Sequence, residues 1–272
     1  MKTARLVAGL FVIVALLSCT NHNKKQSLPG KATDTLTYTT SVVEEEADDC
    51  KNDSTGCGYA RITYQVFKNM PLLNDSVKNR LISELAWIDT LNKMNDLDTV
   101  AKRFVSVYNS ELKKSKRDEN LRPYTLECET SLSQQYPGLV VLNISETYST
   151  NWMHGFYYTY FLNWDTKANK MLYLKDILKK GHENEFLKIA EKQFRSDANL
   201  APGVNPSDSG YDFANDKFAL NNNYCFTGEG ILFTYNIYEI RGYSGGPVDL
   251  LIPYKSIKQL LQPNTVISRY VK

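Results

Sequence analysis

A basic start carrying Lys2 and Arg5 leads into twelve apolar residues, 6–17 (LVAGLFVIVALL), followed directly by Ser18-Cys19. The run is about the length of a signal-peptide core and too short to cross a bilayer. Lipoprotein processing needs a small residue before the cut and a thiol after it. Residues 1–18 therefore read as a lipoprotein signal peptide, and Cys19 as the lipidated residue. Several acyl chains, each methylene worth ~0.8 kcal/mol in lipid, make a firm membrane anchor. An ordinary secretory signal with an incidental cysteine is the plainer alternative. Thr20 follows, with no acidic cluster behind it, so the expected place is the bacterial cell envelope, lipid-anchored at the outer membrane and facing the periplasm. Residues 19–38 are polar and aperiodic around Pro29-Gly30, the composition of a flexible tether, and His22 falls within it. The folded body thus starts near residue 39, in an oxidising compartment.

Cysteine usage agrees with export. Beyond Cys19 there are four: Cys50, Cys57, Cys128 and Cys225. An even number suggests two disulfides, and four cysteines allow three pairings. Cys50 and Cys57 enclose the turn-like KNDSTG and are expected to close a small loop. Cys128–Cys225 is then the second expected bond, tying distant parts of the chain for about 4 kcal/mol. The spacings do not fit zinc pairs, so no metal is expected. Lysine plus arginine total 32 against 30 acidic residues, and removal of Lys2 and Arg5 leaves 30 against 30. A neutral chain lacks the electrostatic footprint of a nucleic-acid binder.

The body alternates strand and helix signals. Residues 59–67 (YARITYQVF) alternate and are rich in β-formers. Asp75 or Ser76 is expected to cap a helix carrying Val77, Leu81, Leu85 and Ile88. Asp96 or Asp98 opens another, with Val100, Phe104, Val107 and Leu112 on one face. Strands are expected at 123–132 and 138–148, turning at Pro137-Gly138, then at 155–164 and the MLYL after the Asp165–Asn169 turn. Asp176 starts a helical turn, and 183–195 reads as a helix with Phe186, Ala190 and Phe194 inward. A long aperiodic loop, 199–216, precedes strands at 217–227, 230–240 and 247–252. A final helix from Pro253 buries Ile257, Leu260 and Leu261. Strand runs joined largely by hairpins and interrupted by helices predict α+β, with antiparallel sheets, packed helices and two sub-domains dividing near residue 150.

Catalytic signatures are scarce. There is no G-x-S-x-G elbow, Walker loop or G-x-G-x-x-G fingerprint, and no cofactor is expected. His182-Glu183 starts like a zincin motif, but Phe186 occupies the second histidine's place. Ser110-Glu111-Leu112-Lys113 matches S-x-x-K without its companion motifs. His154, just before the most aromatic strand, is the candidate acid/base group, with Glu239 as its partner; a structural histidine at a strand turn is the plainer reading. That strand carries Phe156, Tyr158, Tyr160 and Trp164 on one side, and Tyr157 and Phe161 on the other. Aromatic residues on both faces predict that both are covered; an exposed row would instead stack on sugar rings or anchor a protein. Five tripeptides open Asp-Ser or Asp-Thr and continue to an apolar residue or threonine, at Asp34, Asp53, Asp75, Asp89 and Asp98. Some exporting bacteria O-glycosylate such sites, while Asp75 and Asp98 serve equally well as helix caps.

The stretch Tyr238-Glu239-Ile240-Arg241-Gly242-Tyr243-Ser244-Gly245-Gly246-Pro247, then Leu251-Ile252-Pro253-Tyr254, resembles the closing signature of the extracytoplasmic domain family found in RsiV and PdaC. Met153-His154-Gly155 looks like its histidine–glycine turn, and 163–178 like its hairpin. Gly242 stands where the family often has proline, and Ala168-Asn169 where it has glycine. The resemblance divides the body into a PdaC-like module, 39–150, and an RsiV-like module, 151–272. RsiV is an anti-sigma factor whose outer domain binds lysozyme, and PdaC is a peptidoglycan deacetylase. The resemblance therefore implies an envelope sensing or binding module, with neither a sigma-binding segment nor a deacetylase domain expected in this chain. Tyr238, Glu239, Tyr243, Gly245, Gly246 and Tyr254 are the candidate binding residues. The glycines suit tight turns and the tyrosines can pack with hydroxyls at a rim. The expected function is non-catalytic binding of a lysozyme-type muramidase or of peptidoglycan, with 199–216 or 242–247 as the inserting loop of an inhibitor. The alternatives are a peptidoglycan hydrolase or deacetylase using His154 and Glu239, and a purely structural envelope component.

Overall fold

Strands β1 (Tyr38–Glu46) and β2 (Tyr59–Phe67) open the body as an antiparallel pair. The computed structural model describes residues 36–51, 56–91, 93–114, 121–151 and 154–271. Cys19, most of the tether, Asp34, Asp53, Trp152 and Met153 lie outside them. After β2 come helices α1 (Pro71–Glu84) and α2 (Leu97–Lys114), joined through a 3-10 turn at Leu85–Ile88. The chain then returns in β3 (Thr125–Tyr136), parallel to β2. Antiparallel pairing is otherwise as expected. The parallel pair exists because two helices carry the chain back along one sheet face before β3 begins.

Helix α1 starts earlier than the cap at Asp75 or Ser76 predicts. Pro71 sits at its first position, where a missing N–H costs nothing, and the Ser76 hydroxyl donates to the Leu72 carbonyl at 2.8 Å. Helix α2 does open behind Asp96, whose carboxylate accepts the Thr99 N–H at 2.7 Å and is held below its ordinary range by that bond. Tyr108 rather than Val107 faces inward on α2.

Strand β4 (Leu139–Ser149) pairs with β3, β5 (Phe156–Asp165) with β4, and the short β6 (Lys170–Met171) with β5. The six-stranded sheet therefore runs past residue 150, and the expected division there does not coincide with the sheets. After α3 (Leu174–Ile177) and α4 (Glu183–Asp197), the strands β7 (Tyr224–Phe226), β8 (Gly230–Tyr235) and β9 (Val248–Pro253) form a second, antiparallel sheet. Helix α5 (Tyr254–Ile257) and a 3-10 turn follow, burying Ile257, Leu260 and Leu261 as expected. The expected strands 217–227 and 230–240 shrink to β7 and β8.

Strand β4 explains why one sheet serves two cores. Its first residues alternate between them: Leu139 and Val141 pack with the second sheet, while Val140, Leu142 and Ile144 pack with α1 and α2. Its unbroken apolar start reflects cover on both faces, whereas Ser145 and Thr147 farther on are exposed. On β5, buried Asn163 joins the sheets by giving its amide to the Tyr224 carbonyl at 2.9 Å and taking the Phe226 N–H at 3.0 Å.

Cys50 and Cys57 are disulfide-bonded. The second expected bond is absent: Cys128 and Cys225 are free and buried, one in each core. Cys128 on β3 faces the helices, and Cys225 belongs to the separate core of the second sheet. Burial pushes the Cys225 thiol up to about 12 and Cys128 higher still. Both should resist iodoacetamide in the native protein and react fully once it is denatured. Mass spectrometry would check this, and a second intramolecular disulfide would contradict the packing.

Candidate aromatic site beside the second sheet

Five aromatic side chains on and around β5 belong to neither core: Phe156, Tyr157, Tyr158, Tyr238 and Tyr243. His154, just before β5, lies with its ring 4.0 Å from that of Tyr243 and nearly parallel to it. Phe156 lies 5.4 Å from the histidine and 6.1 Å from Tyr238, and Tyr157 meets Tyr243 edge-on at 6.3 Å. Both-face cover therefore holds only for the far half of β5, where Leu162 and Trp164 are buried. The near half presents an aromatic surface that water reaches.

The turn that brings Tyr238 there is strained. Tyr238 has φ +64°, and every other described non-glycine residue with positive φ is an asparagine or aspartate. A bulky side chain in this region costs about 1–2 kcal/mol. Such strain persists where surrounding bonds over-determine it, commonly at functional sites. Here Glu239 does the holding: its carboxylate accepts the Asn236 N–H and the Asn221 amide, each at 2.8 Å. Asn236 in turn bonds the Thr159 backbone of β5. Tyr238 is 51% exposed, and its hydroxyl meets His154 Nε2 at 3.2 Å. With Nδ1 donating to the Gly155 carbonyl at 3.2 Å, Nε2 accepts that hydroxyl proton.

His154 and Glu239 thus do not form the expected pair, because each is engaged elsewhere. Tyr254 is also displaced from its expected role. It lies buried in the second core with its hydroxyl on the Thr227 carbonyl, so it packs rather than binds. Gly245 packs beneath the Arg241 side chain, and Gly246 takes φ +66° with the Tyr157 hydroxyl nearby, which suits glycine there. The loop 199–216 is pinned beside this turn. The Asp212 N–H reaches the Ile240 carbonyl, and Phe213 packs into the core. The Arg241 guanidinium covers Tyr211 at 5.0 Å, lining a cleft of about 410 Å3 next to Tyr238. His182 lies at the start of α4, facing Glu185.

The turn with the positive-φ tyrosine lies in a stretch that can be matched to known proteins. Residues 175–255 match the family model "Protein of unknown function (DUF3298)". The fold is shared with the crystal structure of a DUF3298 family member from Bacteroides fragilis, at 23% identity and a TM-score of 0.67, over 87% of this chain and 97% of that one. A DUF3298 family protein from Pseudomonas aeruginosa is similar at 21% identity and a TM-score of 0.64, over 85% of this chain and 96% of that one. No curated protein matches the chain. Likeness at this level is one of fold, and function must be argued from the site.

The stretch matched by that family model supplies Tyr238 and Tyr243, while the rest of the aromatic surface lies outside it. Phe156 stacks on Tyr148 of β4 at 4.9 Å, and Tyr148 lies 4.3 Å from Trp87. The Trp87 indole N–H donates at 2.8 Å to Glu146, which is 1% exposed on β4. Burial pushes the Glu146 carboxyl up to about 7; the indole bond opposes this and the Glu84 charge adds to it. Its second oxygen has no hydrogen-bond partner among the described residues. Sequence reasoning missed Trp87, Tyr148 and Glu146. The signal was available, since Glu146 falls in phase with inward-facing Val140, Leu142 and Ile144.

Proposed function

We propose that this chain is a non-catalytic binding protein of the bacterial cell envelope, lipid-anchored at Cys19, that holds peptidoglycan glycan on its aromatic surface. The observation that carries the reading is the group of rings, Phe156, Tyr157, Tyr238 and Tyr243 with His154, placed outside both cores. Flat apolar faces edged with hydroxyls suit the faces and rims of sugar rings. The strain at Tyr238 supports a role for its ring. The resemblance to RsiV/PdaC-type domains supports an envelope ligand. A hydrolase or deacetylase would need His154 freed from Tyr238 and Glu239 freed from its turn.

Co-sedimentation with purified peptidoglycan sacculi tests this. Tyr238→Gly removes the ring and relieves the φ strain, so stability should hold or rise while binding falls at least about tenfold. Wild-type protein that stays in solution would reject the reading.

One observation favours a second partner. The outer face of β1 to β3 exposes Glu44, Glu46, Glu127 and Glu129 around Arg61, which Glu44 pairs at 3.1 Å. An acidic open sheet face suits a basic protein such as a lysozyme-type muramidase. Biolayer interferometry against c-type lysozyme at moderate salt should then show saturable binding that weakens about tenfold in Glu127→Lys/Glu129→Lys. Equal binding by that variant would remove this partner.

A further inference from the structure

The aromatic surface extends farther than a one- or two-sugar ligand would require. From Tyr243 the rings pass to His154, Phe156, Tyr148 and Trp87 in four steps of 4.0 to 5.4 Å. Trp87, 39% exposed, then walls a cleft of about 880 Å3 at the far end of α1. The cleft carries the Asn79 and Asn95 carboxamides, the Ser83 and Thr90 hydroxyls and Lys93, with Leu91 at its rim, 91% exposed. The Asp89 carboxylate in the same wall is paired with Arg103 at 2.7 Å. Among the described lining residues Lys93 is the one cation, which suits an anionic ligand poorly, and a purely apolar ligand would strand the amides. Neutral donors and acceptors beside an aromatic wall match a sugar. The wall is also preorganised. Trp87 is held by Glu146, by Tyr148 on one side and by Phe104 edge-on at 6.3 Å, so little freedom is lost when a ligand arrives.

We infer that the cleft at Trp87 is a second saccharide subsite on the same aromatic strip, and that the ligand is a glycan chain longer than a disaccharide. This rests on the glycan reading above and assigns it a length and a direction. The chain runs from the 238–246 turn, past Phe156 and the edge of Tyr148, to the cleft at Trp87.

The test uses soluble β-1,4-linked N-acetylglucosamine oligomers of two and six sugars, titrated calorimetrically into the protein. The hexamer should bind about tenfold tighter than the dimer. Trp87→Ala should erase that gain, leaving the hexamer no tighter than the dimer. Because Trp87→Ala also strips Glu146 of its donor, Asn79→Ala is the second variant; it touches only the exposed face of α1 and should cost about threefold on the hexamer alone. Equal binding of dimer and hexamer overturns the second subsite and leaves the glycan reading standing. The same holds if either variant weakens both oligomers alike. If neither oligomer binds, both readings fall.

Discussion

Glu146→Gln is expected to stabilise the protein above neutral pH, with a gain that disappears toward pH 4.5. The folded carboxyl titrates at about 7 against an ordinary value of 4.5, so the native state holds a proton that the unfolded state has released across that window. A raised carboxyl contributes stability that is complete below the unfolded value and is lost as pH rises through the folded one. Over this span the loss is on the order of 3 kcal/mol. Glutamine is neutral throughout and still offers the Trp87 indole an acceptor. The groups facing Glu146 are Trp87, Glu84 from α1, Cys128 from β3, and Tyr148, Tyr158 and Tyr160 from β4 and β5. Glu84 is itself raised by burial, and Arg80 lies 2.9 Å from it. Urea melts of wild type and variant at pH 4.5, 6, 7 and 8 should show midpoints that diverge as pH rises. A difference that is flat with pH would mean that Glu146 titrates like an exposed carboxyl.

Asn163→Ala is expected to cost as much and to act on the binding surface from a distance. The substitution leaves the Tyr224 carbonyl and the Phe226 N–H buried without partners, at about 1–3 kcal/mol each. Asn163→Leu should do no better, since shape does not replace the bonds. β7 is short, and this amide bonds it to β5 at both Tyr224 and Phe226. The second sheet should therefore loosen against the first, carrying the 238–246 turn away from Phe156 and Tyr157. Hydrogen exchange should quicken at 224–226 and around Tyr238, and sacculus binding should fall with it. Unchanged exchange with a loss below about 0.5 kcal/mol would mean that the sheets are joined by other contacts. Asn223 and Asn236, which bond Thr159, are the next residues to test in that case.

Legibility followed distance along the chain. The strand over 59–67, the turn at Pro137-Gly138, the cap at Asp96, the inward stripe of α4 and the Cys50–Cys57 loop all depend on neighbours within a few residues, and all were readable. The Cys128–Cys225 expectation failed because an even cysteine count says nothing about which face of which strand a thiol occupies. β3 turns Cys128 toward the helices, and the second sheet draws Cys225 into the other core. The early start of α1 comes from Pro71 at its first position, which cap signals at Asp75 and Ser76 do not report. At the candidate site, the sequence places Tyr238 and Tyr243 on the turn, but the Glu239 carboxylate is taken by that turn's own Asn236 and by Asn221.

From local pattern alone, the chain settles its class, its main elements and the phase of burial along each. A side chain's periodicity reports whether its own segment is covered at that point, and this needs no knowledge of what covers it. Only tertiary structure decides the parallel return of β3 and the service of β4 to two cores. It likewise decides the burial of a carboxyl beneath Trp87 and the forcing of Tyr238 into a left-handed turn. Each depends on contacts between residues some 60 to 80 positions apart, such as Trp87 with Glu146 or His154 with Tyr238. Such partners are chosen by sheet register and chain path, which no segment encodes by itself.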